Sequence, residues 1–289
     1  MSQGQKQQLA EKSFVEILKD GFRLFIKTYL VIILPMMFFY ICYIVLRALI
    51  LTDLIWHGFI LRERADYVIN QYAKNPNSVS EQEYDIVVQS YLFQTLIGFL
   101  DLLILAVLTV IALCSVSSFL YKTYLNKNPN FKEEFKNSFN KSLFKVVLLI
   151  GLGFSLGWNI FWIPGIIIGV LFIFFVYTYN MENIKRPVRE ARLISGAGNH
   201  SYLKVLGIFA ISFLIINTIN FIYTLILVTV RPVNSATLIS WYNPATRNYG
   251  MIILYELTNN LITILFTPLL VCLLTPLFVS LKAQKEIEN

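Results

Sequence analysis

Residues 28–51 read TYLVIILPMMFFYICYIVLRALIL, a run broken only by one proline, Pro35, and one charge, Arg47. As a helix rising about 1.5 Å per residue, this stretch covers about 36 Å, against about 30 Å for the hydrocarbon core of a bilayer. It predicts a transmembrane helix. Pro35 fits that assignment, since neighbouring helices can satisfy the carbonyl a proline frees.

Outward from this run, the pattern recurs. Further apolar stretches cover about Tyr91 to Leu120, Leu143 to Tyr179, Tyr202 to Val230 and Met251 to Leu281. The third is too long for one span and carries turn signals at Gly157-Trp158-Asn159 and Trp162-Ile163-Pro164-Gly165, which predicts a tight hairpin of two short spans. The expected fold class is an all-α integral membrane protein of six transmembrane helices, forming a single polytopic domain over residues 1–289. The polar stretch from Thr52 to about Ser90 is the largest segment outside the membrane, with a helix of its own expected around Arg62 to Tyr72. Pro268 and Pro276 should kink the last span. Composition agrees: 56% of the 289 residues are hydrophobic and 14% charged, where soluble domains carry about a quarter charged residues.

Orientation follows from the bias of Lys and Arg in the connections. Eighteen of the 24 fall on the side holding both termini, and the remaining six are Arg47, Arg62, Arg64, Lys74, Arg231 and Arg247. Both termini are therefore expected in the cytoplasm. Trp56, Trp158, Trp162 and Trp241 then fall at the outer interface, with Tyr29, Tyr121, Tyr124, Tyr177, Tyr179 and Tyr202 marking the inner one. Met1 to Ala10 is polar and lacks the apolar core of a signal peptide, so the first span is expected to serve as an uncleaved targeting signal. Abundant Lys, Asn, Ile and Phe suit an AT-rich bacterial genome and an inner-membrane location.

The net charge of +7 does not point to nucleic acid, because the basic residues follow the ends of apolar runs instead of forming one groove. Cys42, Cys114 and Cys272 all lie inside apolar runs, and His57 and His200 fall on opposite sides, so neither a disulfide framework nor a metal site is expected. No cofactor is implied.

Three cytoplasmic stretches share a pattern: Val15–Tyr29, Lys132–Val146 and Arg189–Leu203. Each has an acid near its start (Glu16, Glu133, Glu190), a small residue five positions later (Gly21, Ser138, Ser195), and an apolar run after it. Apolar residues recur at helical spacing in the first two, which predicts amphipathic helices lying in the inner interface. The inferred architecture is a threefold repeat of interfacial helix plus hairpin, with units of about 14–126, 131–187 and 188–289. The basic belt formed by Lys19, Arg23, Lys27, Lys132, Lys136, Lys141, Arg189 and Arg192 is expected to bind anionic membrane lipids. Glu182 and Ser195 are candidates for a junction that positions the third interfacial helix.

The segment Ile163–Phe209, IPGIIIGVLFIFFVYTYNMENIKRPVREARLISGAGNHSYLKVLGIF, resembles the membrane domain attached to some glycerophosphoryl diester phosphodiesterases and found in related stand-alone bacterial membrane proteins. The resemblance is carried by Pro164-Gly165, Glu182, Glu190-Ala191, Ser195 and Gly198-Asn199. It implies a six-helix membrane domain without an assigned activity. In the fusions catalysis belongs to a separate soluble barrel, for which this chain has no room, so phosphodiesterase activity is not implied. The long outer loop and Gly196-Ala197 depart from the family pattern.

Charged residues inside a membrane helix are costly and mark candidate sites. Asp101 lies about ten residues into the second span and Arg47 near the outer end of the first, so the two could sit at similar depth. They either pair or face one polar cavity; alternatively Arg47 snorkels outward and Asp101 bonds a neighbouring helix. Glu256, with Asn217, Asn220, Asn259 and Asn260, adds polarity that could line an outward-facing cavity or simply join helices. Ser195 and His200 lack the elbow and orienting acid of a nucleophile-base pair. No catalytic motif is recognised. The expected function is a non-enzymatic protein that organises or senses lipid and docks a protein partner. The alternative is a small transporter or channel component built around Asp101 and Glu256.

Overall fold

The helix boundaries begin with two serine caps. Ser13 Oγ accepts from the Glu16 amide at 3.3 Å while the Glu16 carboxylate accepts from the Ser13 amide at 2.8 Å, and Ser80 and Glu83 repeat the arrangement at the same distances. Such reciprocal boxes satisfy amides that a helix start leaves unpaired. They launch the two longest helices of the computed structural model, α2 (Phe14–Lys74) and α3 (Glu81–Tyr124), after a short α1 (Gln3–Ala10). The structure describes residues 3–75, 80–160, 162–181, 184–198, 200–230 and 234–288.

The chain continues through α4 (Phe131–Ser138), α5 (Lys141–Val146), a π-helical stretch (Val147–Leu152), α6 (Gly153–Ile160), α7 (Trp162–Phe172), α8 (Phe175–Thr178), α9 (Pro187–Ser195) and α10 (Ser201–Val230). It closes with α11 (Ser235–Tyr242), α12 (Tyr249–Asn259) and α13 (Leu261–Glu288). The described residues contain helices and no strand. Five helical stretches are long and apolar enough to cross a membrane: Phe14–Lys74, Glu81–Tyr124, Lys141–Asn159, Ser201–Thr229 and Leu261–Ile287. A shorter apolar stretch covers Trp162–Thr178.

α13 is the centre. In its most apolar window 67% of residues are buried, against 17–28% in the other four long stretches. That contrast makes the others a surrounding layer and leaves their apolar outer faces, such as Ile26, Leu30, Phe213 and Phe221, exposed. Phe174, Phe175, Phe278, Leu120 and Ile194 fill the core around α13, and the Tyr177 and Phe278 rings stack with centroids 4.6 Å apart. α2 reaches α13 through Gly21, where an added Cβ would lie 2.7 Å from Leu273 Cδ2 and 2.8 Å from its Cα.

Several expectations need correction. No separate helix occupies Arg62 to Tyr72: α2 runs unbroken from the first span for about 90 Å, far beyond a bilayer's thickness. Its outer part pairs with the start of α3, where Gln94 Nε2 donates to the Gly58 carbonyl at 3.3 Å. Nothing in residues 52–74 breaks a helix, and the polar side chains only change what the helix faces. For the same reason Val15–Tyr29 is not a detached interfacial helix but the first turns of α2, whereas α4 and α9 are separate short helices. The sixth span divides at Asn260 into α12 and α13, and the connection before it contains α11.

The hairpin turn does not fall at Gly157. That glycine is helical and allows α6 to touch α7: an added Cβ would lie 2.6 Å from the Gly165 nitrogen. Small residues let membrane helices approach backbone to backbone. Pro164 sits in the first turn of α7, where a missing amide costs little. Tyr177 and Tyr179 do not face outward as tyrosines anchored in lipid headgroups would. Both are buried, their hydroxyls donating to the Val271 carbonyl at 3.1 Å and the Ser138 carbonyl at 3.0 Å.

α7 gives way to α8 around Ile173 and Phe174, a break tolerated at depth only where protein covers it. Ser195 Oγ donates to the Leu171 carbonyl at 3.0 Å and Ser117 Oγ to the Val176 carbonyl at 2.6 Å. Ser195→Ala leaves the part-buried Leu171 carbonyl short of a donor and is expected to cost about 1–3 kcal/mol. A thermal melt in detergent checks this, with Ser195→Thr, which keeps the hydroxyl, recovering most of the loss.

Candidate functional site

The polar cluster within the bundle starts from spacing. Tyr40, Tyr43 and Arg47 stand at i, i+3 and i+7 on α2, hence on one face. That face meets Asp101 of α3 and Glu256 of α12. Arg47 Nε donates to Asp101 Oδ1 at 3.1 Å and Arg47 Nη1 to Glu256 Oε1 at 2.6 Å, so one guanidinium holds two carboxylates. Each carboxylate also has a neutral donor. Tyr43 Oη donates to Asp101 Oδ1 at 2.9 Å, and Asn260 Nδ2 lies 3.3 Å from Glu256 Oε2. Tyr40 Oη donates to Asn260 Oδ1 at 3.2 Å, which ties the α12–α13 break back to α2.

The side chains of Arg47, Asp101 and Glu256 are 20%, 28% and 17% exposed, so the cluster is largely withdrawn from solvent. Charge pairs in this setting hold their partners strongly, because removing either leaves the other buried without compensation. The two nearby cavities are small, about 10 Å³ beside Tyr40 and Tyr43 and about 50 Å³ between Trp241 and Asn259. The arrangement works as a three-helix clasp filled by its own side chains.

The structure brings together Arg47, Asp101 and Glu256, with Asn260, and separates the other asparagines from them. Asn217 is exposed on α10 and donates to the Phe213 carbonyl one turn earlier, at 2.8 Å. Asn220 has a buried Oδ1 without a partner among the described residues. Asn259 lines the small cavity with Trp241, Met251 and Tyr255. These three do not join the clasp: Asn217 and Asn220 belong to α10, which carries none of its members, and Asn259 of α12 lines the cavity beside Trp241 instead. Sequence reasoning missed Tyr40 and Tyr43, whose common face with Arg47 was the available signal.

At the other end of the bundle lie the start of α2, the ends of α3 and α13, and α4 and α9. Lys19, Arg23, Lys27, Lys132, Lys136, Lys141, Arg189 and Arg192 are all exposed there. Of the acids beside them, Glu16 and Glu133 are exposed as well, whereas Asp20, Glu134 and Glu190 are withdrawn and bind lysines of other elements. Lys12 Nζ reaches Asp20 Oδ2 at 2.5 Å and Tyr124 Oη at 3.0 Å, Lys122 Nζ reaches Glu134 Oε1 at 2.5 Å, and Lys285 pairs with Glu190. Burial opposes the charge on Lys12, yet its bonds to Asp20 and Tyr124 outweigh that and hold its pKa above the ordinary lysine value. Ser195 is buried at the α9–α7 junction already described, while Glu182 and Asn199 lie outside the described residues. Among the described residues no three His, Cys, Asp or Glu side chains gather as metal ligands.

Fold and site together define a class: an all-helical protein whose long apolar helices suit it to a membrane, clasped by a buried arginine and edged by cations. Compared with family models, with curated proteins and with solved structures, the chain matches none.

Proposed function

We propose that this chain is a six-span bacterial inner-membrane protein, with both termini cytoplasmic, that organises or senses anionic lipid and docks a protein partner without catalysing a reaction. The observation that carries the reading is the exposure, at one end of the bundle, of all eight cations named from the sequence, while three of the neighbouring acids, Asp20, Glu134 and Glu190, are taken up by lysines outside that set. A cation near an anionic leaflet contributes about 1 kcal/mol to attraction. The span that completes six in this reading, fourth in chain order, is the short apolar stretch Trp162–Thr178, whose length is offset by its broken, protein-covered end.

The clasp supports scaffolding over transport. A translocation site needs room and an accessible acid, whereas Asp101 and Glu256 are both bonded to Arg47. The threefold repeat belongs to the same proposal. Its three small residues, Gly21, Ser138 and Ser195, are all buried, in keeping with equivalent positions facing inward in each unit. The likeness of Ile163–Phe209 to the phosphodiesterase membrane domain is consistent with such a role.

The test is native mass spectrometry of the detergent-purified chain titrated with phosphatidylglycerol or phosphatidylcholine. The fourfold variant Lys132→Gln, Lys136→Gln, Arg189→Gln, Arg192→Gln is expected to lose preference for phosphatidylglycerol by at least about tenfold, since four such cations sum to several kcal/mol. An undiminished preference would overturn the reading. So would proton- or solute-coupled flux abolished by Asp101→Asn in a still-folded protein.

A further inference from the structure

A cleft of about 880 Å³ opens at the cytoplasmic end between α1, the start of α2 and the ends of α3 and α13. That volume falls in the range of about 300–1,000 Å³ common for ligand clefts. Five cations line it: Lys6, Lys12, Arg23, Lys127 and Lys282. Only two lining residues are acidic, Asp20 and Glu286, which leaves a formal excess of three positive charges.

The pairing inside the cleft sharpens the point. Lys12 is engaged by Asp20 at 2.5 Å and Lys6 by Glu286 at 2.6 Å, which uses both acids. Arg23 is a further 4.0 Å from Asp20 with its side chain 82% exposed. Lys282 Nζ meets only neutral groups among the described residues, Tyr121 Oη at 3.3 Å and Met181 Sδ at 3.6 Å, and stands over the Tyr121 ring at 5.3 Å. Lys127 is exposed at the turn after α3. Three cations without a full carboxylate partner thus converge on one concave surface, where their fields add and focus on an anion. Leu9 and Leu125 share the lining, so the cleft is polar with an apolar edge. Ammonium and guanidinium groups so arranged suit a phosphate, whose oxygens accept several charge-assisted hydrogen bonds at once.

We propose that this cleft is a binding site for a phosphate group, carried either by the headgroup of an anionic phospholipid or by a free phosphate anion. It deepens the lipid-binding reading above, from a diffuse basic face to one stoichiometric site. Lys282 and Lys127 are its principal ligands, and the Lys12–Asp20–Tyr124 triad fixes its wall.

The full chain in detergent is titrated with phosphatidylglycerol by native mass spectrometry and, separately, with inorganic phosphate by thermal shift. The variant Lys127→Gln, Lys282→Gln is expected to weaken a one-to-one adduct at least about tenfold while the fourfold face variant retains it. Lys127→Glu, at an exposed turn, provides the same test should loss of Lys282 disturb folding. Loss of a phosphatidylglycerol adduct that inorganic phosphate does not displace identifies the headgroup as the source. A phosphate-dependent shift lost in the cleft variants identifies free phosphate. If the face variant loses the adduct and the cleft variants keep it, the cleft inference falls and the lipid-binding reading stands. If no variant changes either signal, both fall.

Discussion

Arg47→Met is expected to cost roughly 3 kcal/mol and to lower the thermal midpoint in detergent on the order of 10 °C. The loss arises because Asp101 and Glu256, each held by its own guanidinium nitrogen, are left facing one another in a largely buried pocket with only Tyr43 and Asn260 as donors. Removing the acids as well should reverse most of it. The triple variant Arg47→Met, Asp101→Asn, Glu256→Gln keeps acceptors for Tyr43 and Asn260 and takes away every charge, and replacing a buried ion cluster by neutral groups is often harmless. The corresponding mutant cycle is expected to show strong coupling between positions 47, 101 and 256, because they share one network. Additive effects, or an Arg47→Met protein as stable as the parent, would mean that the clasp does not hold the helices.

Gly21→Leu is the second large effect. The branched side chain cannot enter between α2 and α13, where even a Cβ would meet the Leu273 backbone at 2.8 Å and the Cys272 carbonyl at 3.1 Å. Backbone atoms do not swing aside as a side-chain tip does. The helices must part, and overpacking costs of about 1–3 kcal/mol become a lower bound when the displaced element is the central helix. The Cys272 carbonyl faces Gly21 where Pro276, four residues on, has no amide to offer it, so the close approach also covers an otherwise unpaired acceptor. Gly98→Leu provides the control, since a Cβ there meets nothing within 4 Å. Loss of folded, monodisperse protein for Gly21→Leu beside an unaffected Gly98→Leu is the expected result in size-exclusion chromatography. Equal behaviour of the two would refute the tight α2–α13 contact.

Both effects depend on contacts that a linear reading reaches only in part. The depth argument for Arg47 and Asp101 needs nothing but rise per residue, and it brought that pair within reach. Glu256 could be singled out as a charge in an apolar run, but not as the second acid on the same guanidinium, since that depends on how α12 crosses α2. Tyr40 and Tyr43 look like ordinary aromatic content until Arg47 fixes which face of α2 matters. The asparagines show the opposite failure. Polarity alone groups Asn217 and Asn259 with Glu256, yet Asn217 sits exposed on another helix and bonds its own backbone, and Asn259 lines the cavity beside Trp241.

What the sequence determined by itself is the solvent: long apolar runs, sparse charge and cations gathered at one set of ends require helices whose backbone bonds are internal. Where the two longest helices start is also local chemistry, at the Ser13 and Ser80 boxes, although hydropathy alone begins the second span only at about Tyr91. Tertiary structure decided which helix is central. α2, α3, α10 and α13 are alike in hydropathy, and only α13 lies inside, since Gly21, the α9 junction and the lysine pairs near Lys285 close around it. Tertiary structure also decided where helices break, as at Phe174 and Asn260. Near Phe174, Ser195 and Ser117 come from distant parts of the chain to bond the Leu171 and Val176 carbonyls, and at Asn260 the side chain caps the Glu256 carbonyl one turn back while Tyr40 of α2 holds that side chain in place.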